Sequence, residues 1–176
     1  KHCSPRLWTR RKNYRSLSFV THSMGGIIFR EFVLSCHDQL QPSVPIYSAV
    51  LLASPNHGSA LASVASCFWK SNSLGDLSSG KDSYINSLNE RWVAKFNPET
   101  TLLPFLASAG YELHPTHTKI IVENEAATAY ASRSLGFPKN HKGIAKPMDK
   151  VDCGLYNWVK QNLLRHPHAH RRALRW

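Results

Sequence analysis

The stretch L-S-F-V-T-H-S-M-G-G-I-I, Leu17 to Ile28, decides the fold. Leu17 to Thr21 is β-prone, and Ile27, Ile28, Phe32 and Val33 then recur at the spacing of a helix that runs to Cys36. A strand joined to a helix through x-His-Ser-x-Gly must reverse within about one residue, which strains the serine and leaves no room for side chains beside it. Gly25 meets that demand two places after the serine; two places before it, where glycine is usual, stands Thr21. Gly26 and the flanking strand and helix compensate for that departure. Ser23 therefore reads as an activated nucleophile rather than a helix cap. It sits at a helix N-terminus, where free backbone amides favour a developing negative charge, and the Met24 N–H is the first oxyanion donor. His22 adjoins the serine and cannot fold back to act as its base, so it reads as a packing or turn-supporting residue.

Working outward, Gln41 to Pro45 breaks the chain with two prolines, and Ile46 to Ala53 is a near-continuous apolar run suited to a strand buried on both faces of a parallel sheet. Two strands joined through a helix make a βαβ unit. Ser54 to Ser59 (S-P-N-H-G-S) is a loop, Ala60 to Trp69 a helix, and Ser71 to Gly80 a connector. Ile85, Leu88, Trp92 and Phe96 predict an amphipathic helix over 83–96, with Asp82 or Ser83 as N-cap. A third strand is expected at Lys119 to Val122 (K-I-I-V). Leu155, Trp158, Val159 and Leu163 mark a closing helix over 151–164, ended near Pro167. The fold class is α/β, a mostly parallel sheet flanked by helices.

A chain of 176 residues with 42% hydrophobic content can build one packed core. The net charge of +11 is not spread over it. Six basic residues before the first strand and four after Leu164 leave the middle nearly neutral, dividing the chain into a basic segment at 1–16, a folded domain at 17–164 and a basic tail at 165–176. Terminal charge runs are usually solvated, so no nucleic-acid partner is expected. Cys3, Cys36, Cys67 and Cys153 are widely separated, read as reduced thiols and show no metal-ligand spacing. No apolar run approaches the roughly 20 residues of a membrane span, and no signal-peptide pattern is present. A cytoplasmic address is weakly favoured.

Three blocks resemble the lipase- and esterase-like α/β hydrolases that include the GPI inositol-deacylase-like and serine-active-site-containing proteins. They are V-T-H-S-M-G-G-I-I (20–28), L-L-A-S-P-N-H-G-S-A-L-A (51–62) and N-H-K-G-I-A-K-P (140–147). The resemblance spans about Leu17 to Leu164 and implies a serine hydrolase that cleaves a carboxylic ester, of a lipid or a small molecule, through an acyl-enzyme on Ser23, with no cofactor and no metal. It makes His141 the catalytic base, in agreement with the triad order Ser, acid, His along the chain. His57 is then structural or substrate-facing. His114 and His117, spaced H-x-x-H without a third ligand, read as surface histidines.

The acid is expected just after the third strand, in Glu123-Asn124-Glu125-Ala126. Where the family commonly carries an aspartate, this chain has Ala126 and Tyr130, so three outcomes stay open: Glu125, which is favoured, Glu123, or no acid. Asp149 and Asp152 read as charges at the start of the last helix. By the family's strand order the chain is a partial α/β-hydrolase fold lacking the N-terminal strands and the loop that carries the second oxyanion donor. That leaves Leu17 to Thr21 as an apolar edge, and full activity is expected to need upstream sequence. The competing reading is a non-catalytic remnant or interaction module that keeps the elbow for reasons of fold.

Overall fold

The computed structural model describes residues 16–40, 44–68, 84–96, 103–146 and 153–164. The basic segments, the 71–80 connector, the Asp82 or Ser83 cap, Asp149 and Asp152 all fall outside them. Four strands form one parallel sheet in the order β1 (Leu17–His22), β2 (Ile46–Leu52), β3 (Leu106–Glu112) and β4 (Arg133–Phe137). The helices are α1 (Gly25–Leu40), α2 (Gly58–Phe68), α3 (Tyr84–Lys95), the short α4 (Asn124–Thr128) and α5 (Cys153–Leu164). A 3₁₀ turn at Gly143–Ala145 precedes α5. The molecule is thus a mixed α/β domain with a central parallel sheet flanked by helices.

β2 explains the layering. Side chains alternate across a strand, and both faces of this one are buried. Ala49 and Leu51 pack with Phe29 and Val33 of α1 and Trp92 of α3. Val50 and Leu52 pack with Val64 of α2, Ala126 of α4 and Leu155 of α5. Polar pairs inside the sheet are matched, Ser48 Oγ donating to Ser18 Oγ at 3.0 Å and Ser108 Oγ to Asn162 Oδ1 of α5 at 2.8 Å. β1 pairs with β2 and forms one end of the described sheet, with Val20 half exposed.

The third strand corrects the sequence reading. Lys119 to Val122 is not a strand; Lys119 makes only an isolated antiparallel bridge to Thr116. The strand lies earlier, at L-A-S-A-G-Y-E, and β4 follows at R-S-L-G-F. Neither segment has the β-branched residues that advertise a strand, whereas K-I-I-V has them and folds otherwise. Burial between two helix layers, where small side chains fit, holds β3 in place.

Candidate active site

The C-terminal ends of parallel strands all lie along one sheet edge, so residues just beyond β1, β3 and β4 converge there. Ser23 follows β1 with φ of 54°, the left-handed region that a non-glycine residue adopts only under constraint. Its N–H donates to the Leu52 carbonyl at 2.9 Å, and its carbonyl accepts from Gly26 N–H at 3.0 Å, which closes the turn into α1. A Cβ on Gly26 would lie 2.6 Å from Ser54 Cβ and collide with Ser54 Oγ. A Cβ on Gly25 would meet Thr21 Cβ at 3.4 Å, an ordinary contact, so Thr21 and the residue across the turn do not crowd each other. Gly26 is therefore the position where any side chain would force the α1 terminus away from the loop after β2.

His141 is fully buried in the loop after β4, and its ring joins two residues. Nε2 lies 2.9 Å from Ser23 Oγ, and Nδ1 lies 3.3 Å from Glu112 Oε1, the last residue of β3. A carboxylate only accepts, so Nδ1 carries the hydrogen and Nε2 offers its lone pair to the Ser23 hydroxyl. Glu112 is itself fixed, because the same oxygen accepts from Ile121 N–H at 3.1 Å and Val122 N–H at 2.6 Å. Its second oxygen, Oε2, is buried without a hydrogen-bond partner. His141 N–H donates to Thr116 Oγ1 at 3.0 Å, and His22 Nε2–H donates to the His141 carbonyl at 2.7 Å. The His22 ring packs 4.9 Å from the His141 ring, and burial pushes its pKa below the ordinary histidine value.

The sequence leaves the acid open between Glu125, Glu123 and none. Both glutamates are exposed, Glu123 at the N-cap of α4 and Glu125 in its first turn, and the carboxylate that meets His141 is Glu112 instead. The acid is the last residue of the third strand and not in the segment after it, and that strand ends at Glu112 and not at Val122. No sequence signal marks Thr116, which lies in the loop after β3. Ser23 and His141 meet at the sheet edge, and Met24 follows the serine at the start of the turn into α1. His57 is half-buried where α2 begins, its carbonyl accepting from Leu61 N–H at 3.0 Å, and it takes no part in the chain of Ser23, His141 and Glu112. His114 and His117 are exposed.

Among the described residues no group of three or more His, Cys, Asp or Glu is placed to hold a metal ion, and no helix is long and apolar enough to cross a membrane. Fold and site together define a class: an α/β domain with a catalytic-triad-like Ser23–His141–Glu112 arrangement, consistent with a serine hydrolase mechanism. Comparison of the chain with protein-family models, curated proteins and solved structures finds no significant match.

Proposed function

We propose that the chain is a carboxylic-ester hydrolase of the lipase- and esterase-like α/β-hydrolase type, working through an acyl-enzyme on Ser23. The observation that carries this reading is the single buried imidazole bonded to a strained serine on one side and a buried carboxylate on the other. Ser23 Oγ attacks the ester carbonyl while His141 Nε2 takes its proton. Glu112 steadies the imidazolium, and the Met24 N–H, in the turn just before α1, holds the oxyanion. Collapse expels the alcohol with the proton from His141, and water repeats the sequence to release the acid. A cavity of about 380 Å³ is lined by Met24, Ile27, Ile28, Phe32 and Leu61, with Glu31, Ser35 and Tyr84. That volume is within the ordinary range of about 300 to 1,000 Å³ for small-molecule sites, and its apolar lining suits the acyl part of an ester.

A fluorophosphonate probe tests the reading. Covalent labelling of the wild-type chain at Ser23, lost in Ser23→Ala, is expected. A folded chain that takes no label at Ser23 would instead support the non-catalytic alternative.

A further inference from the structure

The nucleophile and its base come from opposite ends of the chain, and the base stands in a loop. His141 lies four residues beyond β4, in a segment with neither strand nor α-helix. A loop histidine aimed at a serine must have its backbone held, since the ring can be no better placed than the Cα that carries it. The backbone N–H and carbonyl of His141 are both bonded. Thr116 Oγ1 accepts its N–H, and His22 Nε2–H donates to its carbonyl at 2.7 Å. His22 is the last residue of β1, paired in register with Leu52 of β2, and is covalently next to Ser23. Its ring also lies against the ring it positions, 4.9 Å between centroids and tilted by 47°.

We propose that His22 is a positioning residue for this reaction, tying the backbone of the base to the strand that carries the nucleophile so that Ser23 and His141 keep their spacing. The inference rests on the serine hydrolase reading only for its effect on catalysis; the tie itself is a statement about geometry. A carbonyl can only accept, so His22 must carry its hydrogen on Nε2. Neither general-base nor nucleophilic work is assigned to it. Its contribution is to remove the freedom by which the loop could carry the imidazole off the serine.

Two variants separate the donor from the ring. His22→Phe keeps aromatic volume and loses the donor; His22→Gln loses the ring and keeps a side-chain N–H at about the same reach. The rate of fluorophosphonate labelling of Ser23 is expected to fall by about 10- to 100-fold in His22→Phe, the scale of a misplacement near 1 Å. The loss should fall on the inactivation step and not on probe binding, and His22→Gln should recover most of it. In proton–nitrogen correlation spectra, wild-type His22 should be the Nε2–H tautomer, and the His141 ring signals should move in His22→Phe and stay near their wild-type positions in His22→Gln. A folded His22→Phe that labels at the wild-type rate overturns the proposal, as does a folded His22→Gln as slow as His22→Phe. If the wild-type chain takes no label, the hydrolase reading fails and the spectra decide the tie alone. An Nδ1–H tautomer at His22, readable without any variant folding, or His141 signals indifferent to His22→Phe, would end it.

Discussion

Glu112 shows how little of a catalytic role a single residue displays outside its surroundings. It is one glutamate among several, in a segment of alanine, serine and glycine, and is distinguished by three donors that converge on one of its oxygens. Glu112→Gln can keep the two amide bonds through its carbonyl oxygen but cannot supply the charge that steadies an imidazolium. Labelling of Ser23 by a fluorophosphonate is expected to slow by up to about 10,000-fold in Glu112→Gln, with Glu123→Gln and Glu125→Gln near wild type. Equal losses in all three would remove Glu112 from the role. Ser23, by contrast, is legible in the sequence because the elbow is a local turn, and His141 through the resemblance of its loop, with which the triad's chain order agrees. The acid is set by strand placement, and Ala-Ser-Ala-Gly carries almost no strand signal.

At the scale of elements, the turn from β1 into α1 works only because the helix start and the loop after β2 approach closely. Gly26→Ala would drive a methyl into Ser54, and since the contact includes Ser54 Cβ, trimming the hydroxyl alone would not relieve it. We expect Gly26→Ala to destabilise the chain by about 1 to 3 kcal/mol in urea titration, the usual scale of overpacking. Ser54→Gly on that background should restore part of the loss. Additive effects of the two substitutions would contradict the close approach. The three helices predicted from their apolar periodicity stand within a few residues of where that pattern puts them, at Gly25–Leu40, Tyr84–Lys95 and Cys153–Leu164. A helix's own spacing dictates its buried face, whereas β4 is recognisable only once β3 lies beside it.

Across the whole molecule, Arg30 joins parts that no local pattern connects. Its guanidinium is buried over the rings of Tyr130 and Trp92, at 4.2 and 5.1 Å from their centroids, and donates to Asn89 Oδ1 of α3 at 2.8 Å. It also reaches Asn56 Oδ1 at 3.4 Å, and Asn56 in turn donates to the Ala126 carbonyl of α4 at 2.9 Å. Burial lowers the Arg30 pKa to about 10, so the group stays charged at neutral pH. A lysine cannot lay a planar group over the two rings or reproduce the forked donors, and Arg30→Lys is expected to cost about 2 kcal/mol or more in urea titration. A second global property follows from His22, which faces His141 and, more distantly, Glu112. Its folded pKa lies below the ordinary value, so the unfolded chain takes up the proton first as pH falls. Stability is fully present above the ordinary value of about 6.5 and declines as pH falls toward the folded value. His22→Gln should flatten that decline as pH falls below about 6.5, and an unchanged slope would show that His22 does not contribute to it. The sequence by itself determined the elbow with Ser23 and the helices, because turn sterics and helical periodicity are written into neighbouring positions, while His141 came from the resemblance of N-H-K-G-I-A-K-P to the family's histidine loop. Only the tertiary structure decided which carboxylate meets His141, which residue anchors its loop and where the third and fourth strands lie. Those choices depend on contacts between segments far apart in the chain, and the residues that make them are ordinary until the sheet brings them together.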